Sequence, residues 1–251
     1  MGRKRRLPGL TVKDGYMRHP FDVEHKVETS GLVSGRHLRV GHVHDRHNTA
    51  YYGIAPSVLI ELCARWRASK LVAPPEDYTF IDFGAGMGRA MLLASRMPFR
   101  EVVGVELHPD LAATAQRNID KWVAAGRARC PMRIVCQDAL EFAYPKNPCV
   151  AYLFNPFREP VLKSLVRRME KAFAGRPSQL DVLYANDEFR EVLWGNPRWE
   201  RLWGGEIALS AEDDQADVDI LNNQPDGEYA ATKEEPCSIF RLIGNARDRA
   251  A

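Results

Sequence analysis

The stretch IDFGAGMGR, residues 81–89, has three glycines at alternate positions between an apolar run and a segment of helical composition. The run TFIDF (79–83) has the length of a buried strand and RAMLLASRM (89–97) predicts a helix, so the glycines lie at a strand-to-helix turn. Glycine accepts a positive φ and lets a ligand approach the backbone, and the following helix offers unpaired N–H groups. The stretch therefore predicts an α/β fold with a nucleotide site at this turn, or else a tight turn without a ligand.

The spacing of the glycines narrows the choice of ligand. A dinucleotide fingerprint, G-x-G-x-x-G, has its third glycine three residues beyond the second, and counted from Gly84 and Gly86 that position is Arg89. What fits is DFGAGMG (82–88), which resembles the first motif of class I S-adenosylmethionine-dependent methyltransferases. In that family the acidic residue and the glycine loop surround the amino acid moiety of the cofactor, S-adenosyl-L-methionine. The resemblance implies this role here for Asp82, Gly84, Ala85, Gly86 and Gly88.

The next two strand-like runs each lead to an acidic residue. EVVGVEL (101–107) reaches Glu106, 22 residues after Gly84, where a carboxylate can accept hydrogen bonds from ribose hydroxyls; taken alone, Glu106 reads as a solvated strand-end charge. MRIVCQDALEF (132–142) closes on Asp138, which the resemblance implies contacts the adenine amino group. An N-cap role before ALEF is equally compatible with Asp138. Leu107 and Ala139, which follow the two acids, are expected to touch the cofactor as well.

A fourth strand-like run, VAYLFNPF (150–157), ends in Asn155-Pro156-Phe157. This tripeptide resembles the Asn/Asp-Pro-Pro-Phe/Tyr box of methyltransferases that modify amino groups, with the second proline absent. The resemblance implies that Asn155 and a neighbouring carbonyl accept hydrogen bonds from the target nitrogen, that Phe157 packs against it, and that Asn155 also touches the cofactor. The alternative is an ordinary Asn-Pro turn after a strand.

The rest of the chain continues the alternation of strands and helices. Residues 159–175 predict an amphipathic helix, residues 180–186 a fifth strand, and residues 201–210 and 238–244 a closing antiparallel pair. This pattern predicts an α/β fold with a doubly wound, mostly parallel seven-stranded sheet and an antiparallel closing strand. The resemblance covers residues 78–245. We expect residues 78–251 to form the Rossmann-like methyltransferase domain and residues 1–77 an N-terminal extension that covers the cofactor and substrate.

The N-terminal extension carries less familiar chemistry. In related methyltransferases a segment just before the first strand folds over the cofactor, and TAYYGIAPS (49–57) is expected to do so here through Tyr52 and Ser57, with Ser57 capping the helix that follows. Three histidines and an aspartate lie close together upstream; a metal would require their side chains to converge. We predict no metal and a substrate-side loop instead at His42, His44, Asp45 and His47.

Composition excludes several classes of protein. With 251 residues and 45% hydrophobic content, the chain can bury a sizeable core as one domain. No apolar run approaches the 18 residues or so of a membrane span, and no hydrophobic segment follows the basic start, as a secretory signal would require. The five cysteines are odd in number and lack a C-x-x-C pair, which predicts neither a disulfide framework nor a zinc site. A cytoplasmic protein is expected.

The charge distribution bears on the substrate. Residues 211–235 contain nine acidic residues and one lysine, a net charge of −8 in a chain whose total is +2. As a loop at the rim where substrate enters, this segment would concentrate cations and repel phosphates, which favours a basic peptide or a small amine over nucleic acid. The competing interpretation is a solvated loop, or one neutralised by residues 1–50, where ten Lys and Arg outnumber five Asp and Glu.

The resemblance therefore implies an S-adenosylmethionine-dependent methyltransferase that acts on a nitrogen nucleophile, and it is closest to a group of bacterial class I methyltransferases of unassigned substrate. Two alternatives remain: a non-catalytic module that binds S-adenosylmethionine or S-adenosylhomocysteine, and an aminopropyl-type transferase on the same scaffold. A protonated amine would first have to lose its proton. Asp45, Asp187 and Glu188 are possible bases, and the sequence singles out none of them.

Overall fold

The computed structural model describes residues 18–222 and 230–244. Its strands are β1 (Leu32–Val33), β2 (Tyr51–Tyr52), β3 (Thr79–Phe83), β4 (Glu101–Glu106), β5 (Met132–Cys136), β6 (Cys149–Phe154), β7 (Leu180–Ala185), β8 (Trp199–Ala208) and β9 (Glu234–Leu242). Its α-helices are α1 (Pro20–His25), α2 (Pro56–Ala68), α3 (Arg89–Ala94), α4 (Pro109–Ala124), α5 (Glu159–Ala172), α6 (Glu191–Trp194) and α7 (Ala211–Asn222).

Seven strands form one sheet in the order β5-β4-β3-β6-β7-β9-β8. The five strands from β5 to β7 are parallel, β9 runs antiparallel to both of its neighbours, and β8 is therefore parallel to β7. The interior strand β3 is buried at every position, because a parallel sheet with helices on both faces has no solvent side. The predicted doubly wound, mostly parallel sheet with an antiparallel strand is confirmed.

Helices cover both faces of this sheet. One apolar cluster packs α2, α3 and α4 against one face, and a second packs α5 and α6 against the other. The core-facing sides that the sequence predicts are confirmed, since all of their residues are buried: Leu59, Leu62, Cys63 and Trp66 of α2, Leu111, Ala115, Ile119 and Trp122 of α4, and Val161, Leu162, Leu165, Val166, Met169 and, just past its end, Phe173 of α5.

Two local predictions are wrong. Ser57 does not cap α2, because the helix begins one residue earlier: Ala55 is the N-cap and Pro56, whose fixed φ suits a first turn, is the first helical residue. Residues 211–235 are not a loop throughout, because α7 forms over Ala211–Asn222. The Ser210 hydroxyl accepts from the Asp213 N–H at 3.1 Å, and the acidic first turn is favoured at the positive end of a helix.

Arg89, at the position where a dinucleotide fingerprint would have its third glycine, anchors the N-terminal extension. Its buried guanidinium donates to the Thr29 hydroxyl at 2.7 Å, the Gly53 carbonyl at 3.0 Å and the Ser30 hydroxyl at 3.2 Å, and it lies 3.9 Å from the Asp22 carboxylate. The residue that breaks the dinucleotide pattern therefore fixes the extension to the helix behind the glycine loop.

Within the described part of the chain, no helix combines the length and the apolar character needed to cross a membrane.

Candidate functional site

The glycine loop lies at the edge of the sheet where the parallel strands end. Gly84, Gly86 and Gly88 have φ of 77°, 54° and 89°, a region that residues with a Cβ adopt only under strain. A Cβ on Gly86 would lie 2.2 Å from a ring carbon of Tyr51, and one on Gly84 would lie 2.5 Å from the Pro156 Cβ. Glycine is therefore required at positions 84 and 86 for two reasons: the positive φ of the backbone and the close packing of Pro156 and Tyr51 over the loop.

Glu106 ties the end of β4 to this loop. The carboxylate is buried and accepts hydrogen bonds from the Gly86 N–H at 2.7 Å and the His108 N–H at 2.8 Å. Burial raises the pKa of Glu106, and these backbone hydrogen bonds oppose the increase. The Glu106 carboxylate is thus hydrogen-bonded to the loop. This is the position expected of a carboxylate that contacts both the loop and a bound ribose.

Asp82 lies beneath the loop with its side chain enclosed. Only 3% of the residue is exposed, and burial together with the nearby Glu106 raises the pKa of Asp82 to about 8. Among the described residues, none donates a hydrogen bond to its carboxyl group. A buried carboxyl without a donor is a chemical feature that a positively charged ligand group would satisfy.

The two carboxylate oxygens of Asp138, which is largely buried, have different partners. One carboxylate oxygen accepts from the Leu140 N–H at 2.9 Å and caps the 3₁₀ turn Ala139–Glu141, as the N-cap alternative predicts. The other oxygen lies 2.9 Å from Nδ1 of His44 and 3.7 Å from Nε2 of His42. The two imidazoles of the extension therefore face the carboxylate that is expected to bind adenine.

The same three side chains place their ligand atoms within 4.8 Å of one another, close enough for a metal ion. The hydrogen bonds favour another arrangement. Nδ1 of His42 accepts from the His44 N–H at 3.2 Å, so the proton of the neutral ring is on Nε2, the atom that faces Asp138. We interpret His44 as a hydrogen-bond donor to Asp138 at 2.9 Å, whereas Nε2 of His42, at 3.7 Å, lies beyond hydrogen-bonding distance. His47 points elsewhere, 3.1 Å from Nε of Arg46.

A small cavity of about 80 Å³ lies between the glycine loop, the ends of β4 and β5, and the extension. The expected site residues that line it are Tyr52, Gly84, Gly86, Glu106, Leu107, Asp138, Ala139, Pro156 and Phe157. Three other expected residues do not line the cavity: Asp82, in β3, and Ala85 and Gly88, in the loop. Ser57 lies away from it, and its hydroxyl accepts from the Ser210 N–H at 3.0 Å.

Asn155 ends β6 in a left-handed conformation, with φ of 39°. Its side-chain amide donates to a Glu188 carboxylate oxygen at 3.0 Å, and the Tyr184 hydroxyl lies 3.5 Å from its amide oxygen. The backbone carbonyl of Asn155 accepts from the Thr49 hydroxyl at 2.6 Å. The conformation turns the chain sharply at the end of the strand and leaves the side chain facing a second cavity.

The extension pairs with the Asn-Pro-Phe segment. The Thr49 N–H donates to the Pro156 carbonyl at 3.4 Å, the Arg158 N–H donates to the His47 carbonyl at 2.9 Å, and Asn48 forms an antiparallel bridge with Phe157. The resemblance assigns one carbonyl next to the Asn155 side chain to the target nitrogen, and the carbonyls of both Asn155 and Pro156 are bonded to Thr49 in this conformation.

The second cavity, of about 640 Å³, adjoins the first, and both are lined by Asn48, Thr49, Ala50, Tyr52 and Phe154. Exposed arginines lie around it, namely Arg36, Arg39, Arg46 and Arg158. Its carboxylates are Asp45, Glu188, Asp217 and Glu235. The Tyr52 hydroxyl donates to Asp217 at 2.5 Å. The cavity thus has arginines and carboxylates on its walls, and Asn155 faces it.

The bases named from the sequence differ in their availability. Asp45 accepts three backbone N–H groups, those of residues 40–42, at 2.8–2.9 Å. Asp187 is buried, where it accepts from the Ser238 hydroxyl and pairs with Arg190 at 3.3 Å. Glu188 is exposed beside Asn155. Glu235 and Asp217, which the sequence did not distinguish from the other acidic residues of 211–235, also line the second cavity. Nothing in the local sequence pattern shows which acidic residues face a cavity.

Comparisons with known proteins identify the fold. Neither a protein-family model nor a curated protein sequence matches the chain. Among solved structures, the [4+2]-cyclase SpnF is 14% identical, with 76% of this chain and 82% of that chain covered and a TM-score of 0.51. The YcgJ protein from Bacillus subtilis is 12% identical over 74% of this chain and 99% of that chain, with a TM-score of 0.47.

A third structure is magnesium protoporphyrin IX methyltransferase (ChlM) from Synechocystis PCC 6803 with bound SAM, which is 12% identical over 74% of this chain and 76% of that chain, with a TM-score of 0.46. At such identities the likeness concerns the fold alone. The strand order and the antiparallel strand between β7 and β8 are those of the Rossmann-like methyltransferase fold, and the chain has that fold.

Proposed function

We propose that the protein is an S-adenosylmethionine-dependent methyltransferase that acts on a nitrogen nucleophile of a basic peptide or a small amine. One observation carries the proposal: the glycine loop, Glu106 and Asp138, which the resemblance assigns to the cofactor, line one cavity, and the adjoining cavity is faced by Asn155. In the proposal, residues 78–251 form the catalytic domain and residues 1–77 the extension that covers its site.

The residues present fit the cofactor chemically. The buried, unpartnered carboxyl of Asp82 suits the positively charged amino acid moiety, Glu106 suits the ribose hydroxyls, and Asp138 suits the adenine amino group. When bound, the cofactor supplies an electrophilic methyl carbon. A drug-sized ligand needs roughly 300 to 1,000 Å³, far more than the 80 Å³ between loop and extension. Entry of the cofactor therefore requires the extension to move, with Tyr51 leaving Gly86 and His44 leaving Asp138.

The proposed acceptor site is the larger cavity. Asn155 orients the acceptor nitrogen through its side-chain oxygen, and the carboxylates on the cavity wall attract a cation. Orientation and exclusion of water are the main contributions that a protein makes to such a transfer. The rim arginines set a limit on this attraction, since they would repel a densely basic peptide.

The fold does not by itself decide the activity, because one structure that it resembles is a [4+2]-cyclase. Turnover must be measured directly. Mass spectrometry of the purified protein should detect copurified S-adenosylmethionine or S-adenosylhomocysteine, and a labelled-methyl screen across peptides, nucleic acids and small amines should give transfer to an amine. Cofactor binding without any transfer would support the binding module instead.

Glu106→Ala tests the cofactor assignment. The variant loses charge-assisted hydrogen bonds worth about 1.5–3 kcal/mol each, so S-adenosylmethionine should bind at least about tenfold more weakly by calorimetry. Glu101→Gln, at the opposite end of the same strand, is the matched control and should bind normally. An effect of Glu106→Ala below about twofold would contradict the assignment.

Asn155→Ala separates chemistry from cofactor binding. The proposed partner of Asn155 is the acceptor nitrogen, so we expect slower methyl transfer with nearly unchanged affinity for S-adenosylmethionine. A parallel fall in rate and affinity would make Asn155 a cofactor or structural residue.

A further inference from the structure

Glu235 lies at the same end of the sheet as Asn155. Register pairs it with Ile207 of β8, and the Asp187 N–H donates to the neighbouring Pro236 carbonyl at 3.2 Å. Through the order β6-β7-β9, this end of β9 lies beside the carboxyl ends of β6 and β7. Asn155 and Glu235 therefore line the same cavity of about 640 Å³ from two different strands.

One oxygen of Glu235 has no partner. Oε2 is shielded from solvent, and no described residue forms a hydrogen bond with it. An enclosed carboxylate oxygen without a donor is costly, and a ligand that brings an N–H group removes that cost. Glu235 thus lines the larger cavity and has one shielded carboxylate oxygen without a donor, at the end of the sheet where the proposed reaction takes place.

The surroundings of Glu235 raise its pKa into the neutral range, where both the protonated and the ionised forms are populated. Burial and the charge of Asp217 on α7 raise the pKa of Glu235 to about 7, with Glu206 of β8 and Asp187 after β7 adding to the increase and the Thr232 hydroxyl opposing it. A group that titrates near the working pH exchanges protons most effectively. Both oxygens of Asp187 have other partners. Oδ1 of Asp45 is also without a partner, but its Oδ2 accepts from three backbone N–H groups, so we take Glu235, on the strand end beside β7, as the better placed proton acceptor.

We infer that Glu235 accepts the proton of the acceptor's ammonium group, a role that rests on the proposed function. The ammonium N–H bond breaks, the proton moves to the carboxylate of Glu235, and the nitrogen keeps the electron pair as a neutral amine held by Asn155. The proton then leaves to solvent through the mouth of the cavity, where the lining residues are exposed. The substrate class is thereby narrowed to amines that are protonated in solution.

A titration without cofactor or acceptor tests the carboxyl group itself. In ¹³C NMR spectra of side-chain carboxyls, a resonance with a midpoint near pH 7 should be present in the unmodified protein and absent from Glu235→Gln. Glu234→Gln is the matched control, because Glu234 is the preceding residue of the same strand, is exposed and does not line the cavity. A Glu235 midpoint near that of an ordinary glutamate would overturn the inference, whether or not any amine is methylated.

Kinetics with two acceptors test the proton transfer. The probes are a primary alkylamine, protonated at pH 7.5, and an aromatic amine, neutral at that pH. Glu235→Gln should lower kcat/KM for the alkylamine at least about tenfold, with recovery as the pH approaches the alkylamine's own pKa, and should leave the aromatic amine and S-adenosylmethionine affinity nearly unchanged. Glu234→Gln should leave both acceptors unaffected.

The outcomes separate the two proposals. Equal losses for both amines, or an equal loss in Glu234→Gln, would overturn the role of Glu235 while leaving methyl transfer intact. Transfer to neither amine by the unmodified protein would contradict the proposed nitrogen acceptor, and with it the role of Glu235 as its base.

Discussion

Asp82 lies in a strand that is buried at every position, yet its carboxyl has no hydrogen-bond donor among the described residues. A carboxyl whose pKa is higher in the folded than in the unfolded chain binds its proton more tightly when folded. Stability is therefore full below the unfolded pKa near 4 and is lost as the pH rises towards the folded value of about 8. A loss of folding stability caused by one buried ionisable group is typical of a residue that binds a ligand.

Replacing this carboxyl should separate stability from binding. We expect Asp82→Asn to lose much less stability than the unmodified protein between pH 4 and pH 9, and to bind S-adenosylmethionine more weakly. Urea unfolding across this pH range, with calorimetry at pH 7.5, measures both effects. Asp77→Asn, an exposed residue just before the same strand, should change neither. A variant with the same pH dependence as the unmodified protein would contradict the raised pKa.

At the scale of elements, the helix α7 changes how the negative charge of residues 211–235 is interpreted. Two acidic residues of α7 are buried against the extension. The Asp217 carboxylate accepts a hydrogen bond from the Tyr52 hydroxyl. The Asp213 carboxylate accepts one from the Ser57 N–H at 2.8 Å and lies 3.2 Å from Nε2 of His19. Part of the negative charge therefore holds α7 in place. The expected cation-attracting rim is reduced to the acids that face solvent or the cavity, and no Lys or Arg of the described residues 18–50 forms an ion pair with Asp213 or Asp217.

The contacts of Asp213, which join α7 to the extension, predict a contribution to the free energy of unfolding that depends on pH. Burial alone would raise the pKa of Asp213, but the contacts with His19 and Ser57 outweigh it and lower the pKa to about 2. A lowered pKa stabilises the fold above the unfolded value near 4, and this contribution is lost as the pH falls towards 2.

Asp213→Asn should accordingly lower the free energy of unfolding at pH 7 by roughly 2 kcal/mol, and the difference from the unmodified protein should shrink at pH 2–3. Denaturant titrations at the two pH values give the comparison. Asp214→Asn, the next residue of the same acidic first turn, serves as the control and should cost less. A difference that is equally large at both pH values would rule out the ionised carboxylate as its source.

At the scale of the whole molecule, the extension and the sheet are joined through a buried charge. The Arg89 guanidinium connects α3 to residues 29–30 and 53–54 and lies beside Asp22, whose carboxylate accepts from both the N–H and the hydroxyl of Thr29 and Ser30. Removing one partner of a buried ion pair leaves the other charge uncompensated, which is more costly than losing a surface pair.

Arg89→Met keeps the apolar length of the side chain and removes its charge. We expect the free energy of unfolding to fall by about 3–5 kcal/mol, measured by denaturant titration at pH 7. Arg96→Met, an exposed arginine just beyond the same helix, should change it by less than about 0.5 kcal/mol. A comparable small effect for Arg89→Met would mean that apolar packing alone holds the extension in place.

The sequence by itself determined the sheet and the position of the proposed cofactor site. Strand length, helical periodicity and the glycine turn are local signals, and β3 begins and ends at the predicted residues, Thr79 and Phe83. Because the carboxyl ends of parallel strands meet at one edge, the positions of Glu106, Asp138 and Asn155 at strand ends predicted that they lie along the same edge, while the roles expected of Asp138 and Asn155 came from the family resemblance. No further knowledge of packing was needed for these residues.

Only the tertiary structure decided what surrounds this edge. Tyr51 over Gly86, the two histidines at Asp138, the docking of Asp213 and the inclusion of Glu235 in the cavity all depend on contacts between residues far apart in the chain. Local pattern cannot show them, since an acidic residue in a polar segment has the same propensity whether it faces solvent or a cavity. Burial, which only packing creates, distinguishes Glu235 from its exposed neighbour Glu234.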